Sequence, residues 1–388
     1  MADRVPFKEG LNADAVRHLR RHLEAASSDF DGDAFEADVI PELPALELKD
    51  RVRRTIAGLR RALPDDYLGA LDVVLGAARD WQPLERDDGL GGFGAWPLID
   101  FVGEYGVAAE GDAPDPFDAS MEALRAITGL WSAEFAVRPF LIADPDRAFG
   151  HLRAWLGDDD HHVRRLISEG TRTRLPWGQR LPGVIDDPAP VFELLEGLRW
   201  DESEYVRRSV ANNLNDLSKD HPGRVVERCE RWWDEAPGAD AGKDAARNRR
   251  RLVRHALRTL VKAGDPGALG VLGYRRDAEV AVEHLHLDPP TVWLGEALTF
   301  TFDIVSKGSR AEPLVVDYAL HMTKSAGHRT AKVFKLKTLE LASGDRVTLE
   351  KRHSFKKVTV RTYHPGRYAV EILVNGASRG LAEFDFEV

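Results

Sequence analysis

A repeated helix constrains this chain more than any other feature. The segments HHVRRLISEGTRTRLPWG (161–178) and YVRRSVANNLNDLSKDHP (205–222) share Val163-Arg164-Arg165 and Val206-Arg207-Arg208, 43 residues apart. A period in the range of roughly 40–47 residues is that of stacked two-helix units, so a HEAT-like α-solenoid is expected. In the second segment Val206, Val210, Leu214 and Leu217 recur at helical spacing and form a stripe to be buried. Arg208, Asn212, Asp216 and Lys219 keep the same spacing on another face. A cation, an amide, a carboxylate and a second cation along one strip are a first sign of a site.

Helix-start signals extend the array. Asp115-Pro116, Asp144-Pro145, Asp187-Pro188, His221-Pro222 and Asp265-Pro266 each precede an apolar-periodic run. Asp at an N-cap accepts orphan N–H groups, and Pro at the first helical position fixes φ. Helices are expected at 11–26 and 45–62 and near 131–143, 159–173, 202–219 and 246–263. After Arg276 the period changes to two: LTFTFDIV, PLVVDYALHM, AKVFKLKTL, DRVTLEKRHSF, YAVEILV and AEFDFEV alternate between turn residues. About seven short strands in roughly 110 residues predict an immunoglobulin-like β-sandwich without its cysteine pair. The predicted domains are therefore 1–277, the HEAT-like helical domain, and 278–388, an all-β sandwich.

Composition narrows the function. No apolar run reaches membrane-spanning length, MADRVPFKEG lacks the apolar core of a signal peptide, and the single cysteine, Cys229, excludes an internal disulfide and a cysteine zinc site. A cytoplasmic protein is expected. The net charge of −10 argues against a polyanionic partner, but its distribution does not. Residues 131–265 balance at 23 basic and 23 acidic, and residues 306–367 carry 14 basic against 5 acidic. Local fields steer a polyanion more than the total does, so DNA binding by the middle and the C-terminal part remains open.

Three carboxylates stand among cations at helical spacing: Glu134 four residues before Arg138, Glu169 between Arg165 and Arg172, and Asp216 between Arg208 and Lys219. Singly, each is equally an exposed ion pair worth a few tenths of a kcal/mol. Equivalent helices of a solenoid line one surface, however, and would gather the three acids. Trp131 and Trp177 are candidates for stacking on a base or closing over a cation, with core packing the even alternative; Trp96 and Trp232-Trp233 fit packing better. Six arginines from Arg247 to Arg258, Arg250 and Arg254 among them, have no acid between them and suggest phosphate contact. Lys307 and Arg310 in the SKGSR turn, with Lys356-Lys357, suggest the same for the sandwich. His161-His162 and His284-x-His286 lack partners at metal-ligand spacing, and P-loop, G-x-G-x-x-G and G-x-S-x-G motifs are absent, so no metal and no nucleotide cofactor is expected.

At FDGDAFEADVIPELPALELKDRV, WPLIDFVGEYG, WSAEFAVRPFL, VRRLISEGTRTRLPWG and YVRRSVANNLNDLSKDHP the chain resembles the AlkC branch of the AlkC/AlkD bacterial DNA alkylation-repair glycosylases, HEAT-like proteins of which some carry a C-terminal immunoglobulin-like domain. The resemblance spans nearly the whole chain. It implies base excision of N3-methyladenine and N3-methylcytosine from double-stranded DNA, without a cofactor and without flipping the base fully out. It also implies that Glu134, Glu169 and Asp216 are the active-site acids, with Trp177, Arg165 and Arg172 beside them. An N3-methylated base is cationic and leaves readily, and fixed carboxylates would stabilise the charge that builds on the deoxyribose and orient the attacking water. Glu169 and Asp216 are accordingly assigned to sugar and water, and Glu134 to a supporting or lesion-facing place. A monomer working on the bacterial nucleoid is expected. The competing reading is a non-catalytic HEAT-repeat scaffold that binds DNA or protein.

Overall fold

Capping chemistry sets the helix boundaries in the computed structural model, which describes residues 5–107, 115–238, 243–325, 327–357 and 362–388. The helices are α1 (Ala13–Ala26), α2 (Gly32–Val39), α3 (Leu48–Ala62), α4 (Tyr67–Arg79), α5 (Trp96–Tyr105), α6 (Phe117–Ile127), α7 (Arg138–Ala143) and α8 (Pro145–Ala154). They continue as α9 (His161–Gly170), α10 (Pro182–Asp186), α11 (Ala189–Leu198), α12 (Glu204–Leu217), α13 (Pro222–Asp234), α14 (Ala245–Ala256), α15 (Arg258–Lys262) and α16 (Pro266–Val271). All five X-Pro dipeptides start helices. Asp115, Asp144, Asp187 and Asp265 accept from the N–H groups of Phe117, Arg147, Ala189 and Ala268 at 2.8–3.1 Å. His221 precedes α13 without a side-chain cap. Of the MADRVPFKEG start, residues 1–4 lie outside the described ones. No helix among the described residues is long and apolar enough to cross a membrane.

Three expected helices are shorter than their periodicity suggests. The stretch from Ala133 to Val137 is a turn, and α7 begins only at Arg138, because Pro139 suits a first turn and not a helix interior. Glu134 therefore stands on a turn. Helix α9 stops at Gly170, where the Thr171 hydroxyl donates to the Ile167 carbonyl at 2.8 Å, and α12 stops at Leu217, which leaves Lys219 beyond it. The region near 246–263 forms two helices, broken at Leu257. The Val206, Val210, Leu214 and Leu217 stripe of α12 is fully buried, as its spacing required.

By its internal contacts the chain divides into Met1–Leu217 and Ser218–Val388. The first unit is the helical array, in which α1 packs on α4, α3 on α5 and α9 on α12. The second holds α13 to α16 together with the sandwich. Its strands are β1 (Val280–Asp288), β2 (Thr291–Trp293), β3 (Ala297–Ser306), β4 (Glu312–Thr323), β5 (Arg329–Leu341), β6 (Arg346–Ser354), β7 (Gly366–Val374) and β8 (Ala377–Glu387). They form one sheet in the order β1-β3-β6 and another in the order β2-β8-β7-β4-β5, antiparallel except for β2 on β8. The three-residue β2 is too short to show alternation, and sequence reading missed it.

Alternation along β3 turns Leu298, Phe300, Phe302 and Ile304 inward, where Tyr318, Phe355, Tyr368, Phe384 and Phe386 complete the core between the sheets. The helical segment joins this unit by close contact. Helix α15 meets β5, with Lys262 Nζ 5.9 Å from the Phe334 ring centre. Gly264 and Gly376, both at positive φ, bring their backbones so near that a Cβ on Gly264 would stand 2.8 Å from the Gly376 carbonyl oxygen. The division by contacts thus falls about sixty residues before the change from helix to strand.

Candidate active site

Burying charge is costly unless each group is paired, and the helical unit pairs five in a row. Arg165 on α9 reaches Glu134 Oε2 on the preceding turn at 2.8 Å and Glu169 Oε1, one turn along its own helix, at 3.6 Å. Arg172, just past the end of α9, donates from Nη1 to Glu169 Oε1 at 2.6 Å and from Nε to Asp216 Oδ2 on α12 at 2.8 Å. The order is Glu134, Arg165, Glu169, Arg172, Asp216. Their side chains are 16, 14, 7, 11 and 5 % exposed. Two of the four ion pairs, Arg165–Glu134 and Arg172–Asp216, join residues far apart in the chain, which no surface pair on a single helix can do.

Hydroxyls fix the carboxylates further. Ser132 Oγ accepts from Arg165 at 2.7 Å and donates to Glu134 Oε2 at 2.8 Å, and Ser209 Oγ on α12 donates to Glu169 Oε2 at 2.6 Å. Burial works against the charge of the Arg172 guanidinium, but Glu169 and Asp216 outweigh it and hold its pKa above the ordinary value. The row keeps one more negative than positive charge. It is a rigid anionic strip suited to stabilise positive charge placed against it.

Aromatic groups flank the row. Tyr205 lies over the Arg165 guanidinium at 4.8 Å. Trp131, half-buried, stacks on Trp96 with ring centres 5.4 Å apart and lines a cleft of about 290 Å³ with Glu134, Arg165, His162 and Tyr205. Trp96 itself is core, as expected. Trp177 is 64 % exposed with φ at +65°, a conformation that L side chains rarely adopt and that persists where surrounding structure imposes it. Arg138 and Lys49 supply that structure. The buried Arg138 donates to the carbonyls of Gly170, Arg172 and Gln179 at 2.5–3.0 Å, and Lys49 Nζ donates to the Trp177 carbonyl at 2.5 Å. Arg138 thus braces the loop that carries Arg172 and Trp177 and does not pair with Glu134, as their spacing had suggested.

Glu134, Glu169, Asp216, Arg165 and Arg172 come together in this one place. Arg208 is exposed on α12. In the second unit Lys219 is exposed, Arg250 and Arg254 lie over the Trp233 ring at 5.4 and 5.1 Å, and Arg249, just before them, is buried against Glu235. Lys307 and Arg310 are exposed but paired with Glu283 and Glu312. His161 and His162, read as lacking a partner, have Asp160 with donor atoms within 4.8 Å; that carboxylate caps α9 through the His162 N–H. Sequence reading missed Ser132, Ser209, Tyr205, Lys49 and Asp100. All five lay within the quoted motifs without a role; Ser132, Ser209 and Tyr205 act through contacts between distant segments, which spacing does not show.

A helical array with a buried strip of alternating acids and arginines, followed by an immunoglobulin-like sandwich, is the class of protein that fold and site define. Residues 281–388 match the family described as "Uncharacterised protein YhaZ, C-terminal Ig-like domain". The whole chain is 35 % identical to YhaZ of Bacillus subtilis over 385 residues, 99 % of each protein. It is 36 % identical to Pseudomonas fluorescens AlkC, an alkylpurine DNA glycosylase solved bound to DNA containing an abasic-site analogue, with 99 % of this chain and 100 % of that one covered and a TM-score of 0.88. The chain belongs to the AlkC family.

Proposed function

We propose that this protein is a DNA glycosylase of base excision repair that hydrolyses the N-glycosidic bond of cationic alkylated bases, N3-methyladenine and N3-methylcytosine, in double-stranded DNA. The buried Glu134–Arg165–Glu169–Arg172–Asp216 row carries this reading. As the C1′–N bond breaks, its electron pair leaves with the base, which becomes neutral, and positive charge passes to the deoxyribose. Glu169 and Asp216 face that charge and align a water on C1′; the water's oxygen bonds to C1′ and its proton passes to a carboxylate and on to solvent. Arg165 and Arg172 pair with the acids and hold them in place, so little reorganisation remains for the reaction. Glu134, with Trp131 beside it, faces the lesion.

The protein works as a monomer on the bacterial nucleoid, without full base flipping and without metal or nucleotide cofactor. The basic groups of the second unit, Arg250, Arg254, Lys307 and Arg310 with Lys219, contact phosphates. The resemblance to AlkC, whose structure holds abasic-site DNA, supports the substrate class. Incubating methylated duplex DNA with the protein and measuring free 3-methyladenine tests the reading. Release at a rate that scales with enzyme is expected; a folded, DNA-bound protein that releases none is a scaffold.

A further inference from the structure

Next to the acid row lies a second cleft that the proposed chemistry leaves unused. It has a volume of about 190 Å³ and is lined by Trp96, Phe135 and Trp177, with Lys49, Asp100 and Glu104 among its polar groups. Asp100 projects from α5 and is held on one side only: Trp96 Nε1 donates to Oδ2 at 2.7 Å, whereas Oδ1 is shielded from solvent and has no partner among the described residues. A buried acceptor left unmade costs about 1–3 kcal/mol, and such groups call for a reason to persist. Burial pushes the Asp100 carboxyl up to about 7, against the opposing pull of Trp96 and Lys49. Near neutrality it is therefore present both as an acceptor and as an acid that donates.

The shape and the walls restrict what can fill this space. Its volume lies below the roughly 300–1,000 Å³ of sites for drug-sized ligands, so it suits one heterocycle and not a nucleotide. Three aromatic side chains suit a flat ring. Its charged groups, Lys49 and Arg53 against Asp100 and Glu104, balance, which suits an uncharged ring better than an ion. Phe135 follows Glu134 in the chain, and the Glu134 charge is felt at Asp100, so the cleft adjoins one end of the acid row.

We propose that this cleft binds the base set free by excision, a neutral adenine-type heterocycle, with the Asp100 carboxyl turned into the cleft and bonded to the edge where an amino group stands beside a ring nitrogen. The proposal rests on the glycosylase reading above. The amino N–H and the ring nitrogen offer a donor next to an acceptor, which is what a carboxyl group able to lose or keep its proton complements. A base held there is out of reach of the sugar it left, and its accumulation slows turnover.

Titration of the full-length protein with free 3-methyladenine, followed by calorimetry, tests this directly, with excision of methylated duplex DNA measured separately. Saturable binding and product inhibition are expected. Glu169→Gln should bind the base as the wild type does, although its excision is slowed. Asp100→Leu should weaken binding by about tenfold or more, the loss of one buried hydrogen bond. Adenine dimethylated on its amino group, which lacks the N–H donor, should bind about as poorly to the unaltered protein, so the outcome does not depend on whether Asp100→Leu folds. A wild-type protein that excises but neither binds the free base nor is inhibited by it at millimolar concentration overturns the proposal and leaves the glycosylase reading standing. Equal binding of the dimethylated base overturns it too. Binding without excision keeps the base site and sinks the glycosylase.

Discussion

Arg172 Nε stands 2.8 Å from Asp216 Oδ2, although 44 residues separate them in the chain. The same guanidinium also holds Glu169, so one cation joins the end of α9 to the end of α12. Both carboxylates are almost fully buried, and Arg172 is what makes their burial tolerable. Arg172→Ala should therefore cost about 3–5 kcal/mol of stability, the typical price of leaving a buried charge unpaired, and abolish excision. Arg172→Lys keeps the charge but cannot hold both acids with a fork, and should lie between the two. Urea unfolding of the three proteins checks the order; an alanine variant as stable as the wild type would mean that the ion pairs of Arg172 contribute nothing to stability.

Glu169→Gln and Asp216→Asn change charge at nearly constant shape. Each should lower the single-turnover excision rate by about 10²–10³-fold, the usual loss on removing a preorganised electrostatic group, with little change in melting temperature. Wild-type rates in both variants would reduce the row to structural ion pairs.

The Asp100 carboxyl makes stability depend on pH in an unusual direction. Its folded pKa of about 7 lies above the ordinary value of 3.8, so the folded state binds the extra proton. Its contribution is fully present below about pH 4 and is lost as pH rises through 7. Asp100→Asn, a permanently neutral mimic, should match the wild type near pH 4 and exceed it at pH 8 by up to about 4 kcal/mol. Unfolding curves at the two pH values decide this; a constant gap between the proteins would show that Asp100 ionises freely, without cost from burial, Glu104 or Glu134.

The sandwich carries exposed cations of two kinds. Lys307 and Arg310 already have acidic partners, whereas Lys356 and Lys357 are exposed with no carboxylate among their described contacts. If these residues meet DNA phosphates, removing Lys356 or Lys357 should flatten the slope of log K against log salt by nearly one unit each, without regard to base sequence. Lys307→Ala and Arg310→Ala should flatten it less, because those cations must give up a partner to bind phosphate. Filter-binding at several salt concentrations distinguishes the two pairs. The same slope for all variants would make the sandwich a bystander. Removing residues 278–388 is a poorer test, because it cuts through the unit in which α15 packs on β5.

Periodicity alone determined much of this protein. The apolar stripe of α12, the five X-Pro helix starts and the alternation along β3 follow from local rules, since a helix repeats every 3.6 residues, a strand every two, and a proline has one φ. The long motifs also pointed to the AlkC family before any coordinate did. Periodicity could not start α7 where Pro139 starts it or end α9 where it ends at Gly170, nor find a three-residue strand, because capping and pairing overrule pattern at such points.

Only tertiary structure decided what the acids are. In sequence, Glu169 between two arginines is an ordinary exposed pair, and Glu134 and Asp216 are neighbours of other cations. The fold brings α9 against α12 and lays the Glu134 turn alongside, so that each arginine spans two acids and most of the surface of all five groups is covered. It also leaves Asp100 Oδ1 buried and unmatched. Desolvation and pairing across helices depend on which residues meet in space, and that information is spread over segments 30 to 50 residues apart, beyond the reach of spacing within any one of them.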